Sequence, residues 1–214
     1  MSIAIVLEGG PGVGKSSVAR FLKGFLEGCG IRACIVGDGV RLFARYLARV
    51  FGRWFLAPRE VIEYMVLGWQ LGKLSECISE GCDAIIMDYG PEAPLGYMEA
   101  DGVEYPRELD RVSEAALQGL RVLIVVLEPP ASYGRDGVRW EDLWLANRYR
   151  RFLTWRALSL VPRLGAKAIA VPEKGSAVER AAIVARVVLD ELGARCEELD
   201  PRAHLEASRG EGRC

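Results

Sequence analysis

Residues 9–16 read Gly-Gly-Pro-Gly-Val-Gly-Lys-Ser, the G-x-x-x-x-G-K-[ST] pattern of a phosphate-binding loop. Gly9, Gly10, Gly12 and Gly14 let the backbone bend until successive N–H groups face a phosphate, with Pro11 and Val13 part of the same surface. The helix that follows adds the positive end of its dipole. Lys15 is expected to reach the β and γ phosphates, Ser16 to ligate Mg²⁺, and Ser17 to complete the nucleotide-contacting stretch. Such a loop binds ATP or GTP with Mg²⁺, and its spacing does not choose between the two. Asp88, closing the run Ile85-Ile-Met-Asp, is the candidate second partner of the Mg²⁺, through water; the competing reading is a cap or turn residue.

A loop of this kind needs a strand before it and a helix after it, and the sequence supplies both. Ile3 to Leu7 is a continuous apolar run, as in a strand buried on both faces. Lys15 to Cys29 carries Val18, Phe21, Leu22 and Phe25 at helical spacing, and Gly30 follows as a stop. Further strands are expected at 32–37, 84–87, 121–127 and 167–171. Helices are expected at 40–55, 58–80, 107–118, 139–160 and 176–192. The Gly- and Pro-rich stretch 90–106 reads as a loop, as does 128–137. Strands alternating with helices make this an α/β chain with a parallel sheet. With no repeat or linker, it reads as one domain over 1–194 and a charged, mobile tail over 195–214.

Composition narrows the partners. Lys and Arg number 28 and Asp and Glu 29, a net charge of −1. That balance offers no basic surface for a nucleic acid or a membrane. No stretch reaches the ~18 uncharged apolar residues of a membrane span, and the first apolar run is too short for a signal peptide, so the expectation is a cytoplasmic protein. Arg accounts for 23 of the basic residues, Asn and Gln together number three, and Thr occurs once. Scarce amides suit a thermophile. Six Cys would be free thiols in an ordinary cytosol, but intracellular disulfides occur in hyperthermophiles. At least one disulfide is then expected, involving Cys77 or Cys82.

Branches of the phosphate-loop proteins differ in their other motifs. A translation-type GTPase needs Asn-Lys-x-Asp, and the one Asn, Asn147, precedes Arg148. A remodelling AAA+ or RecA-like motor wants a strand ending Asp-Glu; here it ends Asp88-Tyr89, and the chain has no room for a helical lid domain. The small-molecule kinase branch remains. Leu7 to Ser17 resembles both thymidylate kinases and NadR-like, nicotinamide-riboside-kinase-type ATPase domains. The middle of the chain is more similar to the second group: Asp88-Tyr-Gly90, then Tyr97 and Gly102, then Leu127-Glu-Pro-Pro130 followed by Tyr133, Asp136 and Arg139. The departure is Tyr89, where both families carry Arg. The resemblance spans roughly residues 3–190. It implies a three-layer α/β/α P-loop NTPase with a five-stranded parallel sheet ordered 2-3-1-4-5.

The kinase branch also implies roles. Asp38 would accept the acceptor hydroxyl's proton, with Arg41 beside it on the substrate side; the competing reading of Asp38 is an Asp-Gly turn residue. Glu8 is the alternative base. Arg135 and Arg139 would drop from a lid onto the transferring phosphoryl group, while Arg148, Arg150 and Arg151 read as a solvated helix face. Tyr97 and Tyr105 would cover the acceptor. The five Trp are either core or ring-stacking residues. The implied function is ATP- and Mg²⁺-dependent phosphoryl transfer to a small-molecule acceptor, a nucleoside or nucleotide. The alternatives are an ATP-binding NTPase or regulator with no such acceptor, and an inert nucleotide-binding module. A homodimer is left open.

Overall fold

A computed structural model describes residues 2–129, 142–173 and 175–196. Its parallel sheet has five strands in the order β2-β3-β1-β4-β5: β1 Ile3–Glu8, β2 Ala33–Val36, β3 Ala84–Asp88, β4 Arg121–Leu127 and β5 Lys167–Val171. The α/β P-loop architecture and the strand order are those the resemblance implied. β1 lies at the centre, paired with β3 (Leu7 opposite Asp88) and with β4 (Glu8 opposite Val126). All six β1 residues are buried, which is why the run is apolar on both faces until Glu8.

Alternation along the strands makes two cores. Ile3, Ile5, Leu7, Ala84 and Ile86 pack on α1 (Lys15–Gly28) and α7 (Ala177–Leu192), together with Leu22, Phe25 and Val184. Ala4, Val6, Ile85 and Met87 pack on the other side against α3 (Arg59–Ser79), α5 (Glu108–Leu117) and α6 (Leu143–Leu164), through Leu74, Leu117, Ala157 and Leu160. Helices thus cover both faces. α2 (Gly39–Phe51) and a 3-10 turn (Trp54–Leu56) join α3 around Leu47, Ile62 and Val66.

Several elements differ from expectation. The stretch read as a loop holds α4 (Ala93–Ala100), whose first turn contains Pro94. Pro94 and Gly96, in a stretch that also holds Gly90, Pro91, Gly102 and Pro106, obscured this apolar segment. Gly96 is there for close approach: a Cβ would stand 3.0 Å from the Leu153 side chain of α6. α2 stops at Phe51 because Gly52 takes a left-handed φ of 79°. α6 runs past Pro162 to Leu164, since the lost N–H falls near its end while Leu160 holds to the sheet. Asp142 caps it, and the expected start at Arg139 lies outside the described residues.

Two disulfides are formed. Cys34–Cys77 ties the edge strand β2 to α3, and Cys29–Cys196 ties the end of α1 to the chain after α7. Cys82 is a buried free thiol. The tail expected to leave the domain at 195 is therefore held to it at Cys196. Among the described residues no helix is long and apolar enough to cross a membrane.

Candidate active site

β1 and β3 end side by side, and strand alternation aims their last residues to opposite faces. Asp88 follows Ala84 and Ile86 toward α1 and accepts a 2.5 Å hydrogen bond from the Ser16 hydroxyl. Glu8 follows Ala4 and Val6 to the opposite side of the sheet and is buried beneath the phosphate loop, close enough for Lys15 to act on its carboxyl.

The loop between Glu8 and Lys15 bends through glycines with positive φ. Gly10 allows more than the bend: its φ is 82°, and a Cβ there would lie 2.6 Å from the Arg150 Cβ on α6. Arg180 of α7 braces the loop from behind, donating to the carbonyls of Val13 (2.8 Å) and Glu128 (2.9 Å). The first turn of α1 has no side-chain cap and no acidic residue, in contrast to α2, α6 and α7, which carry Asp38, Asp142 and Ser176 as caps. Its N–H groups are thus left for an anion. This donor set fits a nucleotide phosphate, and the adjacent hydroxyl and carboxylate of Ser16 and Asp88 fit Mg²⁺. Lys15 lies across the loop, donating to the Gly10 carbonyl at 2.5 Å, with its ammonium 3.6 Å from the centre of the Tyr89 ring.

Tyr89 is the one non-glycine described residue with positive φ, at 74°. A side chain in that region is strained, and such residues cluster at functional sites. Its ring meets Tyr97 edge-on at 5.9 Å, and the Tyr97 hydroxyl donates to the Tyr89 hydroxyl at 3.0 Å. Burial and Tyr97 push the Tyr89 phenol well above its ordinary range.

One cavity of about 470 Å³ joins this loop to a second chamber. Pro11, Gly12, Gly14, Lys15, Ser16, Ser17, Asp38, Arg41, Asp88 and Tyr97 all line it, so residues from four separate stretches of the sequence converge on one space. Asp38 caps α2: one carboxylate oxygen accepts from the Val40 N–H at 3.0 Å, and the other stands 3.7 Å from Arg41. Burial and the nearby Asp88 raise its pKa.

The chamber's far wall comes from α3, and the sequence reading missed it. Arg59, Glu63, Val66 and Gln70 recur at i, i+4, i+7 and i+11, one face of a helix. That spacing was the available signal; a face with three polar members does not stand out in a search for apolar periodicity. Arg59 donates to Glu63 (3.1 Å), Asp101 (2.6 Å) and the Tyr149 hydroxyl (2.6 Å). Burial pushes the Glu63 carboxyl up to about 8 despite Arg59. Gln70, almost fully buried, donates from Nε2 to the Tyr89 carbonyl at 3.3 Å.

Other expectations fall differently. Glu8 is fully buried and lines no part of the cavity, so it has no access to an acceptor. Tyr105 lies apart, bonded to Glu99 and Arg156. Trp54 lines the cavity; Trp69 packs near the second core; Trp144 and Trp155 are exposed. Arg150 packs its stem on Gly10, while Arg151 is solvent-facing. Arg135 and Arg139 lie outside the described residues.

No curated protein matches the chain. Residues 4–180 match the model of a family described as the AAA domain. The match covers the loop, all five strands and the helices that face the cavity. The missing Glu after Asp88 had set an AAA+ motor aside; the match carries the AAA description and does not single out a kinase. On this match, and on a nucleotide-binding loop set at the carboxyl end of a parallel sheet, the chain belongs to the AAA domain family as a P-loop NTPase-type domain.

Proposed function

We propose that the chain transfers the γ-phosphoryl group of ATP to a small acceptor of the nucleoside or nucleotide class, in the manner of the kinases its sequence resembles. The observation that carries this reading is the continuity of the cavity: within one space of about 470 Å³ the phosphate loop opens onto a wall of Trp54, Glu63, Gln70 and Tyr97. Hydrolysis needs only room for water. The 2-3-1-4-5 strand order, implied by the kinase resemblance, supports the same reading.

Lys15 and the uncapped amides of α1 would hold the phosphates. Ser16 and Asp88 would hold Mg²⁺, which when bound supplies positive charge against the transferring oxygens. Asp38 lines the same cavity as the loop. Its raised pKa suits a group that takes the acceptor hydroxyl's proton as that oxygen bonds to the γ-phosphorus and the bond to the departing diphosphate breaks. Arg41 and Tyr97 would orient the acceptor. Arg135 and Arg139 keep the lid role that the resemblance implies.

The test is labelled ATP with a panel of nucleosides and nucleotides, nicotinamide riboside included. Transfer to a panel member is expected. Asp38→Asn should lower it by ~10²–10⁴-fold while nucleotide binding survives. Acceptor-independent hydrolysis alone, unchanged in Asp38→Asn, would instead support a nucleotide-dependent regulator. Tyr89, with its ring against the Lys15 ammonium where the kinases carry Arg, is the observation in favour of that second reading.

A further inference from the structure

The net charge of −1 hides a local excess. Between Gly39 and Pro58 the chain carries four Arg and no acidic residue. Arg41, Arg45, Arg49 and Arg53 recur every fourth residue, so the first three form one ridge along α2 and Arg53 follows just past its end. All four are exposed. The opposite face of α2 is fixed by packing, with Phe43, Leu47 and Phe51 against Ile62 and Val66 of α3. That packing turns the Arg ridge to solvent. Arg41 stands beside Asp38 and lines the cavity. Arg45 and Arg49 form no ion pair with any described residue.

A second row runs beside the first. Leu42, Tyr46 and Val50 have the same spacing one position on, and they are 58%, 61% and 60% exposed. The stripe thus offers evenly spaced planar cations with a ring and apolar side chains alongside. Successive Arg lie about 6 Å apart along the helix axis, of the same order as the step between phosphates in an extended polynucleotide strand. Arg forks grip phosphate oxygens in pairs, and an exposed ring stacks on a base of any sequence. The stripe also begins in the right place: its first Arg stands in the cavity that holds the phosphate loop, Asp38 and Asp88. Resting on the kinase reading above, we infer that the α2 stripe binds a single-stranded polynucleotide, and that the terminal hydroxyl of that strand is the phosphoryl acceptor.

The end of the strand enters beside Asp38, and its following phosphates run along Arg45, Arg49 and Arg53. The terminal hydroxyl oxygen bonds to the γ-phosphorus, the bond from that phosphorus to the departing ADP breaks, and Asp38 takes the proton. The products are a phosphorylated strand end and ADP. A bilayer could cover the exposed row but could not send a hydroxyl into the cavity. An acidic protein segment could reach the Arg ridge, but its charges follow no fixed step.

The probes are single-stranded octamers of dT and of U with hydroxyls at both ends, compared with thymidine and uridine. Transfer from labelled ATP to the full chain's acceptors is followed by KM and kcat. Binding is followed by calorimetry over a range of salt concentrations, with a non-hydrolysable ATP analogue present. An octamer should have a KM below its nucleoside's by on the order of 10- to 100-fold. Its affinity should fall with salt at a log–log slope of about −2 to −3, as roughly three to four phosphate contacts would give. Arg45→Gln with Arg49→Gln should raise the octamer KM by ~10-fold, leave kcat in place and flatten the slope by about 1.4. Octamers used no better than nucleosides, or a double variant that binds them as the wild type does, overturns this inference and leaves the kinase reading standing. So does binding to phosphatidylglycerol vesicles with none to the octamers, which would assign the stripe to a membrane. Octamer binding that the double variant loses, with no transfer to any acceptor, overturns the kinase reading and keeps the stripe as a strand site. Neither binding nor transfer overturns both.

Discussion

Glu8 and Glu92 bring two carboxylates into the interior beneath the phosphate loop, and none of their four oxygens receives a well-formed hydrogen bond from the described residues. Burial is the main cause of their raised pKa values. Glu8, with Glu92 adding to the effect, is pushed up to about 8, and Glu92 to about 7. Lys15 draws Glu8 back only partly. Two such groups hold on to protons that the unfolded chain releases near its ordinary carboxylate range. The folded state therefore binds more protons than the unfolded state between about pH 4.5 and about pH 8, and stability falls as pH rises through that window. Glu8→Gln cannot ionise, so its unfolding temperature should fall less steeply than the wild type's between pH 5 and pH 9. The gap between the two proteins should change steadily up to about pH 8, in favour of the variant. Parallel curves for the two proteins would refute the buried-acid account. Glu63, also raised to about 8, titrates in the same direction and stays in both proteins, so it does not confuse the comparison.

At the scale of elements, α4 is held by its contact with α6 rather than by its own sequence. Gly96 permits the approach: a Cβ would stand 3.0 Å from the Leu153 side chain and 3.1 Å from Arg156 Cδ. Gly96→Ala gains about 1 kcal/mol of helix propensity against that tightness and should be nearly neutral. Gly96→Val overfills the gap and should destabilise by ~1–3 kcal/mol in denaturant unfolding. An unchanged midpoint would mean that the two helices can part freely. This contact also marks where the sequence stopped being legible. β1, β4 and the phosphate loop are written in short contiguous runs, so Ile3 to Leu7, Arg121 to Leu127 and Gly9 to Ser16 could be read directly. α4 could not, because its glycine makes sense only beside Leu153, which is more than fifty residues away in sequence. The chamber wall is a similar case. Arg59, Glu63 and Gln70 are polar residues whose burial depends on Asp101, Tyr149 and Tyr89, partners that no local window contains. Asp88 was readable because it closes a strand, and Asp38 because it follows one closely, positions that local pattern does reveal.

Across the whole molecule, two disulfides join segments that are distant in sequence. Cys34–Cys77 spans 43 residues and fixes the edge strand, which leads to Asp38, against α3, which carries the chamber wall. Cys29–Cys196 spans 167. The sequence pointed to Cys77 or Cys82 through composition alone. Cys77 is bridged and Cys82 is not, and spacing could not have told them apart. Each bridge is worth about 2–4 kcal/mol by restricting the unfolded chain. Thiol titration of freshly purified, denatured protein should find at most two reactive groups before reduction and six after it. Six at the outset would exclude both bridges. The longer bridge also has a topological consequence. It turns residues 29–196 into a covalent ring that contains every strand except β1. A protease that cuts once within that ring opens it without releasing a fragment. The nicked protein would migrate as one species until a reductant separates its two halves.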